Sequence, residues 1–168
     1  IIREGRRPIM WGDMLLNADT VGVAQGYTCN CRSGKTADGL LSRLDRRIII
    51  ADWQYDAKAA PVKTTAYLSS LGFDTLCCPW YDPENIAACV KTAKDTSAFG
   101  VMLTTWHTLS AHMPSLLQCE EQLRHHGGAT APRDYAAETA ALVRKVYFAD
   151  GDYKNAGWSS VQVGEITL

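Results

Sequence analysis

The 168-residue sequence lacks an excess of either charge, a long apolar run and a phosphate-binding glycine motif. Its 17 basic and 18 acidic residues nearly cancel, so no strong field favours a nucleic acid or a membrane surface. No apolar run approaches the roughly 18 residues of a membrane span. Neither G-x-G-x-x-G nor a P-loop is present, which disfavours a nucleotide ligand. We therefore expect no cofactor, no nucleic-acid partner and no membrane partner.

The six cysteines lack the spacing of a metal site. One C-x-C and one adjacent pair do not match the C-x₂-C pairs of zinc ribbons. Cys77 and Cys78 alternate faces in a predicted strand, whereas Cys89 and Cys119 fall on apolar helical stripes. We therefore expect reduced core thiols, no bound metal and a reducing, cytoplasmic location. The first residues do not resemble a signal peptide, and the sequence does not begin with Met, which leaves room for a start further upstream.

One stretch shows most clearly the pattern on which the chain is built. Phe73–Cys78 is a short, nearly uncharged run, typical of a strand buried on both faces. Trp80 and Tyr81 follow it, where a βα loop would hold them. We predict that Asp82 caps the helix that follows and does not bind a ligand, because Pro83 suits the first helical position. The stretch therefore predicts a strand, an aromatic pair and a helix in succession.

The same pattern occurs three more times, with buried strands predicted at 7–11, 47–51 and 99–105. Helices are predicted near 40–44, 61–71, 86–93, 113–123 and from Pro132 onward, and the polar segment 17–35 predicts a loop. Strands that alternate with helices indicate an α/β fold of parallel βα units. Four such units form either a small open sheet or half of an eight-stranded TIM (β/α)8 barrel, which needs about 250 residues when complete.

We expect the half barrel, because a doubly wound sheet would carry a glycine-rich phosphate loop after its first strand. Residues 1–150 are then the C-terminal half of a TIM barrel, and residues 151–168 are a tail that packs on it.

A tryptophan stands at the carboxyl end of each predicted strand, the end at which parallel α/β folds place their chemistry. These tryptophans are Trp11, Trp53, Trp80 and Trp106. Polar and aromatic side chains accompany them, namely Asp13, Asp52, Tyr55, Tyr81 and His107. Indole faces stack on pyranose rings, while carboxylates and imidazole bind hydroxyl groups. The set predicts a carbohydrate pocket, although packing alone could also explain single members such as His107 or Tyr55.

Four motifs resemble the last four strands of the catalytic barrel of glycoside hydrolase family 20, the β-N-acetylhexosaminidases. They are PIMWGDM, IIADWQYD, FDTLCCPWYD and GVMLTTW. The resemblance covers about Gly5–Leu109. It implies hydrolysis assisted by the substrate's own 2-acetamido group. The family's catalytic Asp-Glu pair belongs to the preceding strand, which is not in this sequence. The resemblance therefore implies no catalytic residue in this chain.

The resemblance also implies roles for individual residues. Trp11 is similar to the fifth-strand tryptophan, with Asp13 near an acidic position, and Trp53 resembles the wall of the acetamido pocket. Tyr81 resembles the tyrosine that binds the acetamide carbonyl. Trp106 resembles the tryptophan that forms the pocket floor. The family's final glutamate is replaced by Thr108.

We expect part of a glycoside hydrolase that binds an amino-sugar glycan, is inactive alone, and associates with the missing N-terminal half or with a second copy. The alternative is a non-catalytic carbohydrate-binding or scaffold module. A barrel acyl or amide hydrolase is disfavoured, because no G-x-S-x-G motif is present.

Overall fold

The computed structural model describes residues 1–24, 26–106, 112–125, 133–147, 162–163 and 166–167. The chain divides into two compact units, Ile1–Thr104 and Thr105–Leu168. The predicted boundary between residues 150 and 151 lies outside the described residues.

The first unit contains a four-stranded, all-parallel sheet. Its strands are β1 (Ile9–Trp11), β2 (Ile49–Trp53), β3 (Asp74–Cys78) and β4 (Gly100–Val101), and they lie in chain order. The helices between them are α1 (Ala18–Val21), α2 (Gly34–Arg43), α3 (Lys63–Ser70) and α4 (Pro83–Asp95), with 3₁₀ turns at Ile2–Glu4 and Asp13–Leu15. The prediction of an α/β fold with four parallel strands is confirmed.

Local sequence signals account for several helix boundaries. Asp82 caps α4, because its side chain accepts hydrogen bonds from the backbone N–H groups of Glu84 at 2.9 Å and Asn85 at 3.0 Å. The predicted loop at 17–35 is only partly a loop. Asn17 caps the short helix α1 by accepting from the Thr20 N–H at 3.1 Å, and α2 begins at Gly34.

The fourth strand is shorter than predicted, but its chain continues beside β3. The Met102 N–H donates to the Cys77 carbonyl at 3.1 Å, and the Thr104 N–H donates to the Pro79 carbonyl at 2.9 Å. Regular pairing stops at Val101 because β3 ends at Cys78, immediately before a proline. The segment therefore reaches the carboxyl end of the sheet without being a strand throughout.

The two faces of the sheet have different neighbours. On one face, Ile50 packs with Leu41 of α2 and Leu68 of α3, and Cys77 packs with Cys89 of α4. The opposite face carries a cluster without any residue of these helices, formed by Ile49, Ala51, Leu76 and Cys78 with Trp53 and Met102 beside it. The helices that connect successive strands therefore pack on the same face of the sheet. Cys77 and Cys78 alternate faces as predicted.

The six cysteines are free, and all except Cys29 are buried. Burial raises the pKa of the Cys29 thiol to about 11, with a smaller contribution from the charge of Asp52. The expectation that most of the cysteines lie in the core is confirmed.

The second unit contains α5 (Met113–Arg124), α6 (Tyr135–Tyr147) and an antiparallel hairpin of β5 (Gln162–Val163) and β6 (Ile166–Thr167). The buried carboxylate of Glu121 on α5 accepts hydrogen bonds from Tyr135 Oη at 2.6 Å and pairs with Arg133 Nη1 at 2.9 Å. This contact joins the two helices. The predicted helix start at Pro132 lies outside the described residues.

Candidate functional site

Four aromatic side chains form a continuous row at the carboxyl ends of β2 and β3. The Trp53 and Tyr55 ring centroids lie 5.3 Å apart, those of Tyr55 and Trp80 5.4 Å, and those of Trp80 and Tyr81 4.3 Å. We call these four residues the aromatic row. Tyr81 is 55% exposed, and the other three are half-buried. The predicted convergence of Trp53 and Trp80 is therefore confirmed, with Tyr55 between them.

Thr104 anchors the centre of the aromatic row. Its Oγ1 lies 3.0 Å from Tyr55 Oη and 2.9 Å from the Pro79 carbonyl oxygen. A hydroxyl has one proton and a carbonyl can only accept, so Thr104 donates to Pro79 and accepts from Tyr55. This contact ties the fourth segment to the loop after β2.

Asp13 lies at the Trp53 end of the aromatic row. Its Oδ1 accepts from Trp53 Nε1 at 3.3 Å, and its Oδ2 accepts from Asn30 Nδ2 at 2.7 Å. Gly12 places it there, because a Cβ at Gly12 would lie only 2.7 Å from Ile50 Cγ2. A side chain would prevent this close approach of backbone to core. Asp13 is half-buried, so a hydrogen-bond acceptor remains beside an indole ring at the surface.

Asp52 does not join this surface. It is 1% exposed, and its carboxylate accepts from Thr64 Oγ1 at 2.6 Å, Thr65 Oγ1 at 2.7 Å and Gln54 Nε2 at 2.7 Å. Both threonines belong to α3, so Asp52 points toward the helices. Burial raises the pKa of its carboxyl, and the three hydrogen bonds oppose that rise only in part. Asp52 is therefore placed as a structural residue and not as a sugar ligand.

Two buried amides that the sequence analysis missed support the row from beneath. Gln54 Oε1 accepts from the Thr28 N–H at 2.6 Å, and its Nε2 donates to the Thr28 carbonyl at 3.1 Å. Asn85 Nδ2 donates to the carbonyls of Gln54 and Ala57, both at 2.8 Å, and Asn85 Oδ1 accepts from the Trp80 N–H at 3.2 Å. We call Asp52, Gln54, Thr64, Thr65 and Asn85 the polar layer. For Gln54 and Asn85, the available signal was their position within the D-W-Q-Y-D and D-P-E-N segments.

The other predicted residues, Trp11, Trp106 and His107, are not among the four members of the aromatic row. Trp11 ends β1, is 40% exposed, and pairs with Ala51, so it lies on the same sheet face as Trp53. Trp106 is 56% exposed and belongs to the second unit. His107 lies outside the described residues. The predicted ring of four tryptophans is thus established for Trp53 and Trp80 only.

Asp82 holds Lys58 as well as α4. Lys58 Nζ lies 2.6 Å from Asp82 Oδ2 and 3.7 Å from Glu84 Oε2. The hydrogen bond from Lys58, together with those from the Asn85 and Glu84 N–H groups, lowers the pKa of the Asp82 carboxyl. The prediction of a capping role for Asp82 is confirmed.

The described parts of the chain contain no group of three or more His, Cys, Asp or Glu residues that could hold a metal ion. Among the helices described, none has both the length and the apolar character needed to cross a membrane.

Fold and site together define an α/β protein whose parallel strands end at an aromatic row beside a carboxylate. Neither the protein-family models nor the curated proteins with which the chain was compared give a match.

Proposed function

We propose that the first unit binds carbohydrate at the carboxyl end of its sheet, as the C-terminal half of a glycoside hydrolase barrel similar to family 20. The observation that carries this proposal is the aromatic row, which ends at the Asp13 carboxylate. Aromatic faces cover the C–H surfaces of a sugar, and a carboxylate accepts from its hydroxyls. Both groups occur here within one contiguous set of side chains.

The winding of the sheet supports the barrel. A doubly wound sheet has helices on both faces, whereas a barrel has them on its outer face alone. Here the strands follow one another in chain order, and α2, α3 and α4 pack on the same face. The inner face of the proposed barrel is then the face that carries Ile49, Ala51 and Trp53.

The edge of the sheet supports completion by further strands. β1 is an edge strand, and Ile9 on it is 52% exposed. Exposed apolar edge strands invite pairing. We propose that the missing half of the barrel, or else a second copy of the chain, covers this edge.

Within this proposal, Trp53 walls the sugar site and Tyr81 presents its hydroxyl to an N-acetyl group. The exposure of Tyr81 supports its role, since its ring is open to a ligand while it stays packed edge-on against Trp80. Trp11 stays a prediction for this site, and the roles of Trp106 and His107 as sugar ligands stay predictions. Hydrolysis requires the acid–base pair that the family carries on the preceding strand, so we propose only sugar binding for these residues.

Calorimetric titration of the 168-residue chain with N-acetylglucosamine and its β-1,4-linked disaccharide tests the proposal. We expect binding that Trp80→Ala and Tyr81→Ala each weaken by about tenfold, which corresponds to ~1.4 kcal/mol. Tyr81→Ala guards against misfolding, because this ring is exposed.

Phe99→Ala is the matched control. Phe99 is 56% exposed, like Tyr81, but it precedes β4 at the amino end of the sheet. Its removal should leave sugar affinity unchanged. Absence of saccharide binding by the unmodified chain, or equal losses in all three variants, would leave the aromatic row as packing alone, as in a scaffold module.

A further inference from the structure

We infer that Asn30 binds sugar directly, and that Asn30 and Asp13 together hold two adjacent hydroxyl groups of one pyranose ring. This inference rests on the proposed carbohydrate-binding function and adds to it a specificity-determining residue and the chemistry that it recognises.

Asn30 and Asp13 form a hydrogen-bonded pair at the surface. Asn30 Nδ2 donates to Asp13 Oδ2 at 2.7 Å, and the side chain of Asn30 is exposed. Neighbouring hydroxyl oxygens on a pyranose are separated by about the length of one hydrogen bond. The pair therefore presents two polar groups at the same spacing as two adjacent hydroxyls.

The donors and acceptors of Asp13 and Asn30 complement those of two neighbouring hydroxyl groups. An ionised carboxylate has about four acceptor positions. Asp13 uses one of them for Asn30 and one for Trp53 Nε1, so further positions can accept from a sugar hydroxyl. The amide of Asn30 has a second N–H and a carbonyl oxygen, so it can donate to the neighbouring hydroxyl or accept from it. A vicinal diol satisfies both residues at once.

Backbone hydrogen bonds hold Asn30 in place before a ligand binds. The segment around Asn30 is hydrogen-bonded to the body of the unit on both sides of this residue. The Asn30 N–H donates to the Asp13 carbonyl at 2.8 Å, the Cys31 N–H donates to the Leu16 carbonyl at 2.9 Å, and Gln54 holds both backbone groups of Thr28. Asn30 therefore needs little further ordering when a ligand binds.

Asp13 and Asn30 lie at the Trp53 end of the aromatic row. Trp53 Nε1 donates to the other oxygen of the same carboxylate, so the edge of the indole adjoins the pair. A pyranose stacked on Trp53 would bring the hydroxyls at one end of its ring toward Asp13 and Asn30. The inferred contact therefore involves hydroxyls at the rim of the sugar and not the N-acetyl group assigned to Tyr81.

Calorimetry with methyl N-acetylglucosaminide and its 3-deoxy, 4-deoxy and 6-deoxy analogues tests the inference. We expect Asn30→Ala to weaken binding of the parent glycoside about tenfold. Against one deoxy analogue of the 3,4 pair, the same substitution should cost less than about twofold, because the hydroxyl that Asn30 binds is already absent. Asn30→Asp, which keeps the shape of the side chain but removes both amide N–H donors, should weaken the parent at least as much. Arg32→Ala, an exposed change in the same segment, should have no effect.

The possible results separate the inference from the function beneath it. If the unmodified chain binds the glycoside and Trp80→Ala weakens binding, but Asn30→Ala has no effect or weakens all four ligands equally, Asn30 is not a ligand and the inference is overturned alone. If the unmodified chain binds none of the four ligands, the proposed function fails and the inference fails with it. Circular dichroism of each variant checks that the fold is kept.

Discussion

Asp13 and Asp52 stand near the carboxyl ends of neighbouring parallel strands, yet they lie in two different regions of the molecule. Asp13 belongs to the surface that the aromatic row forms, where it adjoins an indole and an exposed amide. Asp52 belongs to the polar layer beneath, where three side-chain donors surround it. A carboxylate at a strand end is therefore not sufficient evidence of a ligand. Which face of the strand it occupies decides its role.

The largest loss of stability should come from removing the Asp52 carboxylate from the polar layer. Asp52→Ala removes the carboxylate that accepts from three buried donors, the hydroxyls of Thr64 and Thr65 and one N–H of Gln54. Unsatisfied buried donors are costly, so we expect the free energy of unfolding to fall by about 3 kcal/mol. Asp13→Ala removes an acceptor at the surface and should cost about 1 kcal/mol or less. Urea unfolding of both variants measures the contrast, and equal losses would contradict the division into surface and layer.

The pH dependence of stability sharpens the same comparison. Burial raises the folded-state pKa of Asp52 above its ordinary value of 3.8, so the folded chain holds this proton to higher pH than the unfolded chain. The contribution of Asp52 to the free energy of unfolding is therefore fully present below pH 3.8. It is lost as pH rises through the raised pKa of the folded state. Asp52→Asn removes this titration.

The measurement is the difference in unfolding free energy between the unmodified chain and Asp52→Asn. We expect the unmodified chain to lose stability relative to Asp52→Asn as pH rises above 3.8. The difference should become constant above the raised pKa. Carboxyls with lowered pKa, such as Asp82, titrate equally in both proteins and cancel. A difference that does not change with pH would mean that folding leaves the pKa of Asp52 unaltered.

The sequence could predict the elements but not this division. Buried apolar runs and the cap at Asp82 are local signals, and the strands and helices followed them. Alternation along β2 required Asp52 and Trp53 to face opposite ways, but only the packing of α3 determines which of them faces the helices. The contact of Asn30 with Asp13 joins residues that are separated by an irregular segment and a short helix. No periodic pattern reports such a contact.

Tyr55 shows the opposite case. It stands two residues after Trp53, and strand alternation continued past the end of β2 would place both rings on one side. The structure brings them together at 5.3 Å. Trp53 and Tyr55 stand in one short segment, so their relation is a local signal. The contact of Asn30 with Asp13 instead joins residues that are 17 positions apart in the sequence.

The next largest loss of stability should come from substituting Gly12, the residue that positions Asp13. In Gly12→Ala the new Cβ would meet Ile50 Cγ2 at 2.7 Å, and Ile50 is fully buried, so it cannot easily move. Overpacking of this kind costs about 1–3 kcal/mol. Because Asp13 follows directly, sugar affinity should fall as well. Denaturant unfolding and calorimetry provide the two measurements.

Gly39→Ala is the control for that substitution. Gly39 lies inside α2, and a Cβ there would have no heavy atom within 4 Å. Alanine favours a helix interior over glycine by about 1 kcal/mol, so this variant should be as stable as the unmodified chain or more so, with unchanged sugar affinity. Loss of sugar affinity in Gly39→Ala, or unchanged sugar affinity in Gly12→Ala, would contradict the role of Gly12 in positioning Asp13.

The smallest effect concerns a third strand-end carboxylate, Asp82, which belongs to neither region. Asp82→Ala removes the acceptor for two N–H groups of α4, and loss of such a cap costs about 1 kcal/mol. Asp82→Asn keeps a capping oxygen and loses only the charge that pairs with Lys58, an exposed contact of little expected value. Thermal unfolding should therefore separate the two variants, with asparagine close to the unmodified chain. Sugar affinity should be the same in both, because Asp82 serves the helix; a loss of affinity in Asp82→Asn would instead place this carboxylate with Asp13 among the ligands.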